Sequence, residues 1–296
     1  MRHKIRWTAQ KLRKRLELIK PLVFTDRRAL RPFSYHILEE PIPEPISTKQ
    51  NDVGDGRLVK PGDYWAGPDT TFSLRTTFST AGFHLEYDQI VLLLPIGISG
   101  DFSHPEALVY IDDVPVAACD RHHQEILLPF QFRDGGEHQL LLRGWTGGTR
   151  QPEENRLQMN RCYIARIDPL LKEFTATARA ALGISEQLTD DNPIKHNLVS
   201  ACDEAFLSLD TREPIADRFF ESVPAALEIL RKKLISAGPP HLARISAVGH
   251  AHIDLAWLWT IEETKRKANR TFTNVLSLMA EEPSFTFTQS QPQLYS

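Results

Sequence analysis

Between about Tyr64 and Ile164 apolar side chains recur with a period of two, and no other stretch limits the fold as tightly. Phe72, Leu74, Thr76 and Phe78 alternate with Ser and Arg, Ile90 to Leu94 is a continuous apolar run, and Ala107, Val109 and Ile111 alternate up to the Asp112-Asp113 turn. His138 to Leu142 and Tyr163-Ile164 continue the pattern, with Gly135-Gly136 and Gly147-Gly148 as turns between runs. Successive strand side chains point to opposite faces, so each run buries one face. Many short strands separated by turns predict an antiparallel sandwich of jelly-roll type.

On either side the period changes. In residues 2 to 20 the Lys and Arg side chains face a single acid, Glu17, while Ile5, Leu12, Leu16 and Ile19 recur at helical spacing. This predicts an amphipathic basic helix whose apolar stripe docks on the rest of the protein or on a partner subunit, so that a homo-oligomer stays open. Pro41, Pro43 and Pro45 then forbid helix and favour an extended strap. After the sandwich, Leu170, Leu171, Phe174, Ala178 and Ala181 predict a helix ended by Gly183, and Leu198, Ala201, Ala205 and Leu209 a second. Phe220, Val223, Leu227, Leu230 and Leu234 predict a third, opened by Pro214, closed by Gly238-Pro239-Pro240, and kinked or split at Pro224. The expected division is therefore 1–63 (basic helix and Pro-rich strap), 64–164 (sandwich), 165–240 (helical connector) and 241–296.

That last segment carries the chemistry. Ile245 to Val248 reads as a strand, followed by Gly249-His250-Ala251-His252-Ile253-Asp254-Leu255-Ala256-Trp257-Leu258-Trp259. In extended chain His250, His252 and Asp254 share one side; a helix would pair His250 with Asp254 and turn His252 away. Imidazole and carboxylate donors at the carboxyl end of a strand suit a divalent ion, and they equally suit turn chemistry or a hydrogen-bonded cluster. Trp257 and Trp259 can be helix-core residues or flat faces on which a sugar ring stacks. Ile261, Ala268, Phe272, Val275, Leu276 and Met279 then predict the buried stripe of a helix, and Phe285 to Thr288 a second strand with Ser290, Gln291 and Gln293 at its end, making one βαβ unit. Two parallel strands cannot close a barrel, so a longer chain is expected.

The run VGHAHIDLAWLW, with IEETKRKANRTF and FTFTQSQPQLY after it, resembles the start of the catalytic domain of glycoside hydrolase family 38, the α-mannosidases, and most closely their cytosolic branch. The resemblance implies an α/β, seven-stranded barrel-like catalytic domain, here incomplete, and a galactose-binding-like sandwich before it, whose central hairpin Val109 to Pro115 resembles. It implies metal-dependent retaining hydrolysis of terminal α-mannosyl residues from oligosaccharides. One zinc ion (cobalt also suits such a site) would be held by His252 and Asp254 together with an Asp and a His beyond Ser296, and would grip the 2- and 3-hydroxyls of mannose. His250 is then a supporting residue and Trp257 a substrate platform. The nucleophile and the acid/base are also expected beyond Ser296, so the 296-residue chain by itself should be inactive; Glu262 and Glu263 read as first-turn acids that favour the helix dipole.

Two other readings remain. An amidohydrolase-type metal hydrolase would use His250 and His252 as its pair, and a noncatalytic sugar-binding or assembly module would act through the sandwich, with Trp65 or Trp145 as its aromatic. Asp112, Asp113, Asp120, His122, His123 and Glu125 invite a second metal, but Asp and His at turns are usually loop residues. The net charge of -3 argues against a nucleic-acid partner. The absence of a long apolar stretch argues against a membrane and for the cytoplasm, and Cys119, Cys162 and Cys202 are too widely spaced for a zinc or redox pair.

Overall fold

The computed structural model describes residues 2–39, 56–97, 105–148, 157–212, 215–239 and 245–295, with side chains from Thr8 onward. Pro41, Pro43, Pro45, Pro214, Pro240 and the side chain of Ile5 lie outside the described residues. The chain forms two compact units, Met1–Asp26 with Ile167–Ile245, and Arg27–Arg166 with Ser246–Ser296.

The first unit is helical: α1 (Arg2–Ile19), α2 (Pro169–Gln187), α3 (Pro193–Leu207) and α4 (Asp217–Ala237). Asp168 and Asn192 cap α2 and α3 through their side chains, each with proline in the first turn. Leu12 and Ile19 of α1 are buried, as are Phe174, Ala178, Phe206, Phe219, Val223, Leu227 and Leu230, so the basic helix docks its apolar stripe within the chain. Two expectations fail. Gly183 does not end α2, which runs to Gln187 and buries Ser185 one turn from its end. Pro224 does not split α4, which continues as one element; the lost backbone bond is offset by Val223, Leu227 and Leu230 packing along one face.

The strands are β1 (Phe24–Ala29), β2 (Phe33–Ile37), β3 (Arg57–Val59), β4 (Tyr64–Ala66), β5 (Thr71–Ser79), β6 (Gln89–Leu93), β7 (Glu106–Ile111), β8 (Val114–Cys119), β9 (Glu125–Leu127), β10 (Glu137–Trp145), β11 (Leu157–Gln158), β12 (Tyr163–Ile167), β13 (Gly249–His250) and β14 (Phe287–Thr288), with α5 (Ile261–Glu281) between the last two; apart from the first half of β1 and the last residue of β12, all lie in the second unit. Strands β3-β2-β5-β10-β7-β8 form a six-stranded sheet and β1-β12-β6-β9 a four-stranded one. The pairings β10 with β5 and β7, and β6 with β9, are antiparallel. Both sheets feed one core, with Phe72, Leu74, Val109, Ile111, Leu140 and Leu142 from one and Ile90, Leu92, Ile126 and Ile164 from the other. Gly144 on β10 is required there, since a Cβ would lie 2.3 Å from the Glu106 carbonyl oxygen. Strands β1 and β2 come from a stretch read as helix and strap; Phe24–Ala29, with the sequence FTDRRA, has too little alternation to announce a strand.

The βαβ unit is present, with β13 parallel to β14 and Gly249 opposite Phe287. Its boundaries differ from the expectation. Ile245 to Val248 lies outside the strand and is exposed, Ile245 at 85%. The buried face of α5 is Glu263, Thr264, Ala268 and Arg270, while Ile261, Leu276 and Met279 are exposed. The polar face is inward because it meets Glu106 and β8 of the six-stranded sheet.

Candidate metal centre at the carboxyl ends of two parallel strands

Gly249 starts the site because nothing larger fits. A Cβ there would stand 2.8 Å from the Phe285 ring and 3.2 Å from the Thr286 carbonyl oxygen, to which the Gly249 N–H donates at 2.8 Å. Past the ladder the chain stays extended: the Gln289 side-chain amide donates to the Ala251 carbonyl at 2.7 Å and Ile253 is buried. Period two then places His252 and Asp254 on one side, and their Nε2 and Oδ1 atoms are 3.1 Å apart. Both face solvent, with side chains 67% and 49% exposed. His250 Nε2 instead meets Ser290 Oγ at 3.3 Å, at the end of β14. Of the three residues singled out in sequence, the fold thus joins His252 to Asp254 and gives His250 to the neighbouring strand.

The turn that follows is strained and pinned. Ala256 has φ +58°, a left-handed conformation that costs about 1 kcal/mol for a residue with a Cβ. Its N–H donates to Thr264 Oγ1 at 3.1 Å; the same oxygen accepts from Trp259 Nε1 at 3.1 Å, and its own hydrogen goes to the Thr260 carbonyl. Thr264 is buried and its hydroxyl fully used. Thr260 caps α5 by accepting from the Glu263 N–H. Trp257 emerges from this turn 56% exposed, packed edge-on against Trp259 with ring centroids 5.6 Å apart. An exposed aromatic face three residues after Asp254 is a surface on which an apolar or sugar ring can lie.

Behind the turn lies a buried ion-pair network. Glu106 of β7 accepts from Lys267 Nζ at 2.6 Å on each oxygen and from Arg270 Nη2 at 2.7 Å, and Arg270 also donates to Glu263 at 2.6 Å. Lys267 Nζ sits 4.4 Å from the Trp259 ring centroid. Glu263 is thereby committed to structure, and Glu262 pairs with Lys265 at 3.3 Å. Glu263 is therefore not available as a glycosidic acid or nucleophile, while Glu262 is held only by this exposed pair.

In the sandwich, Trp65, Trp145, Asp112, Asp120, His122 and His123 all have structural partners. Trp65 is buried, edge-on to Tyr35 and Phe72, with its indole N–H donated to the Ile96 carbonyl. Trp145 donates to Asp69 at 2.9 Å. Asp112 and Asp134 hold buried His138 at 2.7 and 3.1 Å, and Oδ1 of Asp120 accepts the N–H groups of His122 and His123 as a turn. The three cysteines are free and buried; desolvation raises all three thiols, Cys162 and Cys202 to about 12, so they are inert at neutral pH. Thr264, Gln289 and Glu106 went unnoticed in sequence. Only the Thr260-Ile261-Glu262-Glu263 capping signature could have drawn attention to the first helical turn.

Among the described residues no third His, Cys, Asp or Glu joins a metal-binding group. His252 and Asp254 nevertheless supply converging nitrogen and oxygen donors, which fits them as one half of a divalent-ion site. The Gln291 side-chain oxygen, at the end of β14, is buried without a hydrogen-bond partner among the described residues.

Residues 242–296 match the family described as the glycosyl hydrolases family 38 N-terminal domain. Alpha-mannosidase G of Dictyostelium discoideum is 44% identical over 70 residues, 23% of this chain and 6% of that protein. Alpha-mannosidase 2C1 of Homo sapiens is 29% identical over 140 residues, 47% of this chain and 13% of that protein. The chain thus spans a small part of the relatives it matches. Among solved structures, a β-glucuronidase from Ruminococcus gnavus aligns with a TM-score of 0.34 and 12% identity, covering 49% of this chain and 29% of that one, too little to bear on fold or chemistry.

Proposed function

From the premise that residues 242–296 belong to the glycosyl hydrolase family 38 N-terminal domain, we propose that the polypeptide carrying them is a metal-dependent, retaining α-mannosidase. Its substrates are oligosaccharides with terminal α-mannose. The observation that carries this reading is the same-side pair His252 and Asp254, 3.1 Å apart at a strand end inside the matched segment. We read the two antiparallel sheets as a jelly-roll sandwich and β13-α5-β14 as the first βαβ unit of a barrel-like catalytic domain. The linear parts 1–63, 64–164, 165–240 and 241–296 follow that reading, as does a cytoplasmic location. No described helix is long and apolar enough to cross a membrane.

In this account His252 and Asp254 hold one side of a zinc ion, cobalt being acceptable to the same donors. When bound, the ion supplies Lewis-acid polarisation and a template for vicinal sugar hydroxyls. Trp257 offers its exposed face to the ring, and the Thr264 hydroxyl fixes the turn so that platform and donors keep their spacing. Gln289 and Ser290 anchor the strand from the opposite side. Retaining hydrolysis needs two carboxyl groups about 5–5.5 Å apart, one to attack the anomeric carbon and one to protonate the leaving oxygen. With Glu263 committed to the ion-pair network and Glu262 read as a first-turn acid favouring the helix dipole, we place that pair in other parts of the polypeptide and take this chain alone to be inactive.

Release of p-nitrophenol from p-nitrophenyl α-mannoside tests this, using a longer chain that continues through the family domain, with and without a chelator. Metal-dependent turnover is expected from the longer chain and none from residues 1–296. A folded, metal-loaded longer chain without turnover would refute the proposal.

A further inference from the structure

Lys267 sits where a lysine is rarely found. Its side chain is only 13% exposed, and its ammonium meets both Glu106 oxygens at 2.6 Å. The charge also lies 4.4 Å from the ring centroid of Trp259 and 5.6 Å from that of Trp145. Glu106 and Trp145 come from β7 and β10 of the sandwich, whereas Lys267 and Trp259 come from α5 and the turn before it. All four residues belong to one compact unit. Holding a long side chain in one place costs rotamer entropy that an exposed salt bridge does not offset. A desolvated ammonium facing a carboxylate and two indoles does.

The Trp259 ring leads from this ammonium to the metal pair. Its indole N–H donates to Thr264 Oγ1, the oxygen that also accepts the Ala256 N–H. Ala256, in its left-handed conformation, stands two residues after Asp254. A residue with a Cβ keeps that conformation only where its neighbours hold it. A second contact runs the same way: a Cβ on Gly148, in the chain after β10, would lie 3.7 Å from the Leu258 carbonyl oxygen and 3.8 Å from the Trp145 ring. The turn is therefore held from α5 by hydrogen bonds and from the sandwich by a charge and by packing.

We propose that Lys267, clamped by the sandwich carboxylate Glu106, is a positioning residue for the His252–Asp254 pair, so that the sandwich sets the geometry of the metal centre. The ammonium fixes the Trp259 indole, the indole fixes the Thr264 hydroxyl, and the hydroxyl fixes the backbone turn that decides where Asp254 stands relative to His252. The metal in this statement rests on the α-mannosidase reading; the link from Glu106 to the turn does not. Groups directly behind metal ligands commonly change affinity about 10–100-fold, and Lys267 stands further back, which sets its expected effect at about tenfold.

The test measures cobalt affinity and visible absorption in the longer chain, and amide exchange at Ala256 in the metal-free 296-residue chain, for Glu106→Gln, Lys267→Met and Trp259→Phe. Trp259→Phe keeps a ring beside the ammonium and removes the N–H to Thr264, so the Glu106–Lys267 pair stays in place. Each variant is expected to bind cobalt about tenfold more weakly with an altered absorption band, and to exchange the Ala256 amide about tenfold faster, while the Val91 amide of β6 is unchanged. Glu106→Gln combined with Lys267→Met should bind no more weakly than the weaker single variant, because both cut one link. Lower fold stability alone leaves the absorption band of the bound ion in place, which separates positioning from a purely structural role. Wild-type affinity and absorption in any of the three variants would overturn the proposal, as would multiplying effects in the double variant. A wild-type longer chain that binds no cobalt would sink the metal reading alone. The link to the turn is then judged on Ala256 exchange, and fails if that exchange is unchanged in the variants.

Discussion

Glu106→Gln is the most informative change outside the metal pair, because one carboxylate of the sandwich neutralises two cations of α5. Its side chain is 22% exposed, against 13% for Lys267 and 8% for Arg270. Glutamine keeps the shape and one acceptor oxygen but turns an amide toward the other cation. Removing one partner from a buried pair costs about 3–5 kcal/mol. Here Arg270 keeps Glu263 and Lys267 keeps the Trp259 face, which sets the loss near the lower end, about 3 kcal/mol. Native-state hydrogen exchange localises the effect: amides of α5 such as Asn274 should exchange about a hundredfold faster, while those of α2 in the other unit stay unchanged. Adding Lys267→Met should recover part of the loss, since the pair is removed together. A change below about threefold at α5, or strict additivity of the two substitutions, would refute the claim that this network ties the helix to the sandwich.

Two further predictions concern single positions. Gly249→Ala drives a Cβ into the Phe285 ring at 2.8 Å and should destabilise the β13–β14 ladder by about 1–3 kcal/mol, read as faster exchange at the Gly249 and Ala251 amides. Cys202, raised from its ordinary 9.0 to about 12 by burial and then by Asp203, stays neutral when folded while the unfolded thiol ionises. Its contribution is full below about pH 9 and lost as pH rises toward about 12. The unfolding free energy from urea titration should therefore fall between about pH 8 and about pH 10, by about 1 kcal/mol for this thiol, and less steeply in Cys202→Ala. A pH-independent free energy would contradict the assignment.

What the sequence made legible follows from local rules. Alternation exposed the sheet residues Phe72 to Phe78 and Ala107 to Ile111 because each such strand buries one face. The parity of His252 and Asp254 was readable for the same reason. The rest depended on partners distant in sequence. Nothing in Ile261 to Met279 shows that the buried face of α5 would include Glu263 and Arg270, since their reason is Glu106, more than 150 residues away. Gly183 and Pro224 looked like breaks by propensity, and tertiary packing overrode both. Asp120 read as an ordinary turn residue. The fold bears that out, with its Oδ1 accepting the His122 and His123 N–H groups.

The central claim is that His252 and Asp254, and not His250, hold a divalent ion. The most direct measurement is metal stoichiometry by mass spectrometry of the longer chain, purified in parallel as wild type, His252→Ala, Asp254→Ala and His250→Ala. The account predicts close to one zinc or cobalt ion per chain in the wild type and His250→Ala, with loss in the other two. Full metal content in His252→Ala, or loss in His250→Ala alone, would contradict it.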